Sequence, residues 1–196
     1  MVKIKIDIEA NKKKVIELLL STKREGMEDL IEYLESSDFF IAPASTKWHG
    51  AYKGGLVHHS LCVYEVFGKL IEINDLKVSE DTKIIASILH DVNKIFQYLK
   101  EGSSYKWNPE NPEGHSTLSL KRINKFIKLT EIEKELIQYH MSMYGTNEFA
   151  ETNGWGKGEY SLKELSTKYN ENKLAKLFYF ADDISTQFYE DKKQKV

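Results

Sequence analysis

The stretch Gly54-Gly55-Leu56-Val57-His58-His59-Ser60 organises this chain, because it opens a helix and places two histidines in the first turns. On the 3.6-residue period of that helix, His59 falls on the face formed by apolar side chains, namely Leu56, Val63, Val66 and Leu70. His59 is therefore predicted to face the core. His58 shares its face with Cys62, Glu65 and Lys69, so it is predicted to face solvent or the rim of a cleft.

Further metal-type ligands are scattered over the rest of the chain. His90-Asp91 ends one predicted helix and His115 opens another, while His140 and Asp182 each fall on the apolar face of a later helix. A single inward histidine is usually a hydrogen-bonded core residue, but a buried, unpaired carboxylate is costly. We therefore expect all six side chains to line one cleft and to hold divalent metal there.

Most of the chain has the periodicity of amphipathic helices, so the sequence predicts an all-α fold. Helices are predicted at 11–21, 26–36, 55–73, 80–93, 115–128, 131–143, 161–169 and 172–190. Ser79 is a predicted helix cap, and Thr130 with Glu133 has the spacing of a capping box.

Three segments are predicted to be non-helical. Residues 2–8 alternate apolar and charged side chains, which suits a short strand or extended arm. Residues 97–114 are expected to form a loop with a short hairpin. The glycine-rich segment 144–160 is expected to be a long surface loop, with a mobile flap over the cleft as the alternative.

Composition fits one globular domain of 196 residues, 41% of them hydrophobic and 30% charged. A net charge of −2 gives no reason to expect stable binding to duplex nucleic acid. The one cysteine, Cys62, excludes a disulfide framework and leaves a cysteine-ligated zinc site unsupported. No apolar run approaches a membrane span and no signal-peptide core follows residues 1–6, so a cytoplasmic protein without a membrane partner is the default expectation. The sequence leaves the oligomeric state open.

The order of the ligands resembles that of the HD-domain metal-dependent phosphohydrolase superfamily, which has a first His, an adjacent His-Asp and a distant Asp. His59, His90-Asp91 and Asp182 stand in those places. Residues 42–56, from Ala42 to Leu56, look like the segment before the first ligand in HD-type 3′–5′ exoribonucleases and in small HD proteins of phages and Firmicutes.

The resemblance covers roughly residues 38–189. Gly114-His115 and Tyr139-His140-Met141 look like the two additional histidines with which many HD proteins hold a second metal. This chain departs from the family pattern at Asn93, where a small residue usually precedes the lysine, and at Met141, which replaces a common second histidine.

The resemblance implies a single HD-domain helical bundle over residues 38–190, with a helical segment 1–37 packed on it and a tail at 191–196. It implies that His59, His90, Asp91 and Asp182 hold one ion, and that Asp91 bridges to a second ion held by His115 and His140. Imidazole and carboxylate without thiolate suit first-row metals. Mn is expected first, with Fe, Co, Ni or Zn as alternatives and Mg less favoured.

By the same resemblance, the expected function is cleavage of a phosphoester in a nucleotide or short oligonucleotide by metal-activated water. Asp91, Lys94 and His49 are the expected catalytic residues: Lys94 would contact the phosphate, and His49 would line the pocket or give a proton to the leaving oxygen. Arg122 could clamp phosphate, although a surface ion pair is the simpler interpretation of that residue. Lys94 could equally be a solvated surface lysine. Trp107 and Trp155 could stack on a base, although loop tryptophans usually pack onto their own domain.

Three other functions remain open from the sequence. Two keep the resemblance: a 3′–5′ exonuclease on single-stranded RNA or DNA, and a non-catalytic nucleotide-binding HD module. The third is a helical adaptor without metal. The exoribonucleases carry an oligonucleotide-binding β-barrel ahead of the HD domain, and no such segment precedes the matched residues here, which favours the smaller substrate.

Overall fold

The computed structural model describes residues 6–111, 114–154 and 156–189, and this part of the chain is mostly helical, as predicted. Its α-helices are α1 (Ile8–Ser21), α2 (Met27–Ser36), α3 (Gly55–Ile73), α4 (Glu80–Leu89), α5 (Ser116–Ile123), α6 (Glu131–Tyr139), α7 (Asn147–Asn153), α8 (Leu162–Glu171) and α9 (Lys173–Ile184). The strands β1 (Tyr98–Glu101) and β2 (Ser104–Trp107) form an antiparallel hairpin, so the predicted hairpin is confirmed.

Local chemistry explains where several helices begin. The Ser79 hydroxyl accepts the backbone N–H of Thr82 at 3.1 Å, and Thr130 with Glu133 forms the reciprocal capping box, so both predicted caps are confirmed. At the start of α3, Gly54 has φ +78°, and a Cβ on Gly55 would overlap the carbonyl oxygen of Gly50. The paired glycines are therefore required by backbone conformation and by close chain approach.

The core joins the N-terminal helices to the rest of the molecule. The larger apolar cluster contains Leu19 of α1 and Leu34 of α2 together with Leu56 of α3 and Ile85 of α4. A second cluster lies between α3, α4, α6 and α9 and is built around Phe67 and Phe178, whose ring centroids are 4.9 Å apart. Helix α3 packs against α1, α4 and α9, and so occupies the centre of the fold.

Four predicted helices end earlier than expected. Helices α4 and α6 stop at Leu89 and Tyr139, and each is followed by a short 3-10 turn, Val92–Lys94 and Ser142–Gly145. Helix α5 stops at Ile123, and α9 continues after Ile184 as a π-helical turn over Ser185–Tyr189. At the first two ends, the histidine that follows the helix bonds through Nδ1 to the carbonyl three residues earlier, which competes with continuation of the α-helix.

The prediction of a surface loop at 144–160 is wrong. Helix α7 lies within it, capped by the Thr146 hydroxyl, which accepts the N–H of Phe149 at 3.2 Å. Thr146 also pairs with Tyr160 in a parallel bridge. A Cβ on Gly145 would overlap the Tyr160 ring, and one on Gly158 would overlap the backbone of Thr146. These two glycines permit close packing, whereas glycines in sequence alone suggest an open loop.

Some of the sequence predictions concern the N-terminal residues and residues outside the described part of the chain. The predicted N-terminal strand is wrong at its end, because Asp7 caps α1 and Ile8 already lies in that helix; residues 1–5 lie outside those described. Trp155 and the predicted tail at 191–196 also lie outside the described residues. Among residues 6–111, 114–154 and 156–189, no helix has the length and apolar character needed to cross a bilayer.

Candidate metal centre

The fold brings the six predicted ligands together from separate segments. They lie in the early turns of α3 (His59), directly after α4 (His90 and Asp91), immediately before α5 (His115), directly after α6 (His140) and within α9 (Asp182). Four of these side chains are almost completely buried, whereas those of His115 and Asp182 are 22% and 17% exposed. The centre is therefore reached from the side where His115 and Asp182 lie.

One set of donor atoms, here the first donor group, consists of His59 Nε2, His90 Nε2, Asp91 Oδ2 and Asp182 Oδ1. His59 Nε2 lies 3.1 Å from His90 Nε2, 3.1 Å from Asp182 Oδ1 and 3.5 Å from Asp91 Oδ2. His90 Nε2 lies 3.4 Å from Asp91 Oδ2. Donors bound at about 2.1 Å to one ion stand about 3.0 to 3.4 Å apart in octahedral or tetrahedral geometry. The spacing of His59, His90 and Asp91 thus suits a single first-row metal ion, and Asp182 adjoins them through its contact with His59. Donor atoms of His90, His140 and Asp182 also lie within 4.8 Å of one another.

The second donor group consists of Asp91 Oδ1, His115 Nε2 and His140 Nε2. Asp91 Oδ1 lies 3.0 Å from His115 Nε2 and 3.6 Å from His140 Nε2, and the two imidazole nitrogens are 3.1 Å apart. The two oxygens of the Asp91 carboxylate therefore face different donor groups. This arrangement could hold two ions with one bridging carboxylate.

The hydrogen bonding of the donor side chains also fits a divalent metal ion. Asp91 Oδ1 is buried and accepts no well-aligned hydrogen bond from any described residue, although two imidazoles face it. His90 Nδ1 donates to Ser87 O at 2.9 Å, and His140 Nδ1 donates to Ile137 O at 2.7 Å. With the proton on Nδ1, each neutral ring directs the Nε2 lone pair at the centre, which is the orientation that metal ligation requires.

Lys94 stabilises the charge of the shared carboxylate. Its Nζ lies 2.6 Å from Asp91 Oδ2 and the residue is 7% exposed, so the interpretation of Lys94 as a solvated surface lysine is wrong. Burial raises the pKa of Asp91, but the positive charge of Lys94 and the electrostatic interaction with the His90 ring outweigh burial and hold the pKa well below its usual range. Burial lowers the pKa of Lys94, but Asp91 outweighs it and the pKa is raised. Asp91 is thus a carboxylate at neutral pH.

Burial and the neighbouring charges shift the pKa values of the other proposed ligands in different directions. Burial lowers the pKa values of His90 and His115, which favours the neutral, metal-binding imidazole. Burial also acts to lower the pKa of His140, but its contact with Asp91 outweighs it and the pKa is raised. Burial raises the pKa of Asp182, but the hydrogen bond and charge of His59 lower it strongly, so Asp182 is ionised as well.

Arg122 is partly buried and makes no ion pair with any residue that the structure describes, so the predicted surface ion pair is not found among them. Its Nη1 donates to the carbonyls of Val92, Asn93 and Ile95 at 2.7, 3.1 and 3.0 Å. These carbonyls belong to the turn that follows Asp91. The guanidinium therefore supports the backbone beside the centre, and the commitment of Nη1 to three carbonyls disfavours a phosphate clamp.

His49 and Trp107 take different places relative to the centre. The His49 ring centroid is 4.9 Å from that of His59, so His49 borders the first donor group. Trp107 lies on β2, is 47% exposed, and meets the Tyr98 ring edge-on at 6.1 Å. The N–H of Gln97, just before β1, donates to Lys94 O at 3.0 Å, so the hairpin begins beside Lys94.

The prediction that His58 faces solvent or the rim is wrong. His58 is 5% exposed, its Nδ1 lies 2.7 Å from the Tyr52 hydroxyl, and its Nε2 lies 3.6 Å from Cys62 Sγ. The loop before α3 is fastened to the start of that helix by the N–H of Leu56, which donates to Ala42 O at 3.0 Å, and α1 packs on α3. Tertiary contacts therefore cover a face that the helical period left open.

Two polar residues around His115 were missed. The Glu159 carboxylate accepts the backbone N–H groups of His115, Ser116 and Thr117 at 2.9, 3.0 and 3.0 Å. Asn93 is fully buried, and its Nδ2 lies 3.1 Å from His115 Nδ1. Glu159 had no local signal, because it lies more than 40 residues from those N–H groups. Asn93 had a local signal, since it is polar at a position where the HD-domain proteins that the sequence resembles usually have a small residue.

The geometry defines a class of molecule: a mostly helical protein in which four histidines and two aspartates converge from separate segments, with imidazoles facing both oxygens of the Asp91 carboxylate. The chain is also similar to a phosphodiesterase. It is 30% identical over 136 residues to the dihydroneopterin 2′,3′-cyclic phosphate phosphodiesterase of Methanocaldococcus jannaschii, an overlap that covers 66% of this chain and 53% of the relative. The chain thus spans about half the length of the curated relative. No protein-family model and no solved structure matches the chain.

Proposed function

We propose that this chain is an HD-domain metal-dependent phosphohydrolase that cleaves a phosphoester of a nucleotide or a similar small molecule. The observation that carries the proposal is the shared Asp91 carboxylate, whose two oxygens face two sets of metal-type donors. The similarity to a phosphodiesterase supports the same reaction class. The proposed HD domain occupies residues 38–190, with the helices of residues 1–37 packed on it.

The proposed ligands follow the two donor groups. His59, His90, Asp91 and Asp182 would hold one ion, and Asp91, His115 and His140 would hold the second. The donor set suits Mn foremost, or Fe, Co, Ni or Zn, because it combines imidazole with carboxylate and lacks thiolate. When bound, such ions supply an activated water and neutralise charge on phosphoryl oxygens.

The chain's own residues would then position the phosphate and manage the proton. Water oxygen would bond to phosphorus and give up one proton to solvent, the ester P–O bond would break, and the leaving oxygen would take up a proton from the protein. Lys94 Nζ, buried beside Asp91, would bind a phosphoryl oxygen and offset its growing negative charge. His49, next to His59, would donate the proton to the leaving oxygen.

A small phosphodiester is the proposed substrate class. The relative acts, by its name, on a 2′,3′-cyclic phosphate, in which one phosphate bridges two neighbouring oxygens. The exposed ring of Trp107 on the hairpin beside Lys94 would stack on a heteroaromatic base of such a substrate. A short oligonucleotide has the same linkage and remains within the proposal.

The test is hydrolysis by the purified chain loaded in turn with Mn, Fe, Co, Ni, Zn and Mg. The substrates are bis(4-nitrophenyl) phosphate, 4-nitrophenyl phosphate, 2′,3′-cyclic AMP and an end-labelled single-stranded RNA. We expect metal-dependent cleavage of the diesters. Asp182→Asn should lower kcat/KM by about 100-fold or more, because even the outer partners of metal ligands are worth about 10–100-fold. Asp183→Asn, next to it on α9 and outside both donor groups, should stay near wild type.

The outcomes separate the alternatives. Shortening of the RNA from one end would assign the 3′–5′ exonuclease function instead. A nucleotide that binds tightly and is recovered intact after long incubation with metal would assign a non-catalytic binding module. Absence of turnover on every substrate with every metal would refute the phosphohydrolase proposal.

A further inference from the structure

Glu159 caps the helix that begins beside His115. One carboxylate oxygen, Oε1, accepts the N–H groups of His115 and Thr117 at 2.9 and 3.0 Å, and Oε2 accepts that of Ser116 at 3.0 Å. His115 is the N-cap residue of α5, and its own side chain makes no capping hydrogen bond. Glu159 therefore satisfies three N–H groups that the helix leaves unpaired, and its charge is favourable at a helix N-terminus.

The backbone around Glu159 is bonded to the segment that follows His140. The N–H of Glu159 donates to Gly145 O at 2.9 Å, and the N–H of Asn147 donates to Tyr160 O at 2.8 Å. The Tyr160 hydroxyl donates to Ser142 O at 2.9 Å, two residues after His140. Glu159 thus links the two segments that carry the imidazoles of the second donor group.

The first donor group does not depend on these contacts. Apart from Asp91, its members lie on α3, at the end of α4 and on α9, and none of the hydrogen bonds of Glu159 described above reaches those elements. His115 is the more exposed imidazole of the second donor group, with 22% of its side chain exposed. Its position therefore depends on the contacts of its backbone N–H with Glu159 and of its ring with Asn93 Nδ2.

We propose that Glu159 is a positioning residue that holds His115 against His140 and thereby sets the affinity of the second donor group for its metal ion. The inference rests on the proposed metal centre. Without the carboxylate, the first turn of α5 loses three hydrogen bonds and the backbone of His115 loses its clamp, whereas the His115 ring keeps its contact with Asn93 Nδ2. Loss of such an outer partner weakens metal binding by about 10–100-fold. The ion in the first donor group keeps its affinity.

The experiment is a titration of the full chain with Mn²⁺ alone. Calorimetry measures the affinity for each ion, and electron paramagnetic resonance detects the signal of a coupled pair of ions. The variants are Glu159→Ala and Glu159→Gln. Glu148→Ala is the matched control, because the Glu148 carboxylate accepts the N–H of Leu162 at 2.9 Å at the start of α8, which carries no donor. Circular dichroism and thermal melting verify that each variant is folded.

Wild type and Glu148→Ala should bind two Mn²⁺ ions. Glu159→Ala should bind the second ion about 10–100-fold more weakly and lose the coupled-pair signal, with the first ion unchanged. The affinity of Glu159→Gln for the second ion should lie between those of wild type and Glu159→Ala, because its amide oxygen still accepts while its NH₂ opposes one N–H. If Glu159→Ala does not fold, the affinity of Glu159→Gln is the test. Unchanged second-ion binding, equal weakening of both ions, or a wild type that binds fewer than two ions would overturn the inference. A wild type that binds two ions without hydrolysing any substrate would instead refute the proposed function.

Discussion

The ion pair between Arg24 and Glu133 should carry much of the attachment of the N-terminal helices to α6. Arg24 Nη2 lies 2.9 Å from Glu133 Oε1 and Nη1 lies 3.0 Å from Oε2, a bidentate contact. The Glu133 side chain is fully buried, and its Oε2 also accepts the N–H of Thr130 at 2.8 Å. Substitution Glu133→Ala therefore removes an ion pair and half of a capping box together.

The magnitude follows from these contacts. Breaking a buried ion pair costs about 3–5 kcal/mol, and losing a helix cap costs about 0.5–2 kcal/mol. Arg24 is 19% exposed, so its guanidinium regains some hydration, which places the ion-pair part at the lower end of its range. We expect Glu133→Ala to lower the free energy of unfolding by about 3 to 5 kcal/mol. For a chain of this length, Tm should fall by about 6 to 20 °C.

The assay is urea unfolding at neutral pH in the presence of a chelator, which removes any contribution from bound metal. Glu131→Ala is the matched control: it lies in the same first turn of α6, pairs with Lys134 at 2.7 Å, and is 86% exposed. The control should lose less than about 1 kcal/mol. A double-mutant cycle with Arg24→Met isolates the pair. If Glu133→Ala loses no more than the control, the reasoning that burial sets the strength of this pair is refuted.

Three further predictions concern the centre and the pH dependence of stability. Asp91→Asn should abolish binding of both ions, measured by elemental analysis, and reduce turnover by about 1,000-fold or more, because both donor groups lose a charged ligand. Retention of two ions would contradict the role of Asp91 as a shared ligand. Trp107→Ala should raise KM for 2′,3′-cyclic AMP about 10-fold with kcat and cleavage of bis(4-nitrophenyl) phosphate nearly unchanged; an unchanged KM would exclude stacking. Burial raises the pKa of Glu135, but hydrogen bonds from Asn172 and Lys168 outweigh it and bring the pKa below the ordinary 4.5. The Glu135 carboxylate therefore contributes about 1 kcal/mol to the free energy of unfolding above pH 4.5, and this contribution is lost as the pH falls through the folded-state pKa. Urea midpoints of wild type and Glu135→Gln should differ at neutral pH and converge in acid, and a constant difference would contradict this sign.

The local rules of helices account for much of the agreement between sequence and structure. The bounds of α3 match the prediction, because paired glycines precede a long apolar stripe. His59 and His140 are buried, as their helical periods predicted, and Thr130 with Glu133 forms the expected capping box. Periodicity and capping depend on residues within a few positions of one another, so they can be read from the chain alone.

The errors share a different cause. The helical period predicts that His58 faces solvent, because no periodic signal shows that α1 and the loop before α3 cover its face. Composition predicts a loop around Gly145 and Gly158, because it does not distinguish a flexible glycine from one that permits close packing. In both places the outcome depends on residues far away in the sequence.

The helical class of this protein, the caps at Ser79 and Thr130 and the inward direction of His59, His140 and Asp182 can be read from the chain, because periodicity and capping act over a few residues. The packing of the helices sets the rest: the two oxygens of Asp91 face different donor groups, Lys94 is buried against that carboxylate, and Glu159 caps the helix beside His115. Distances of about 3 Å between groups on separate helices depend on how the helices pack, and packing is set by the whole core rather than by any local stretch.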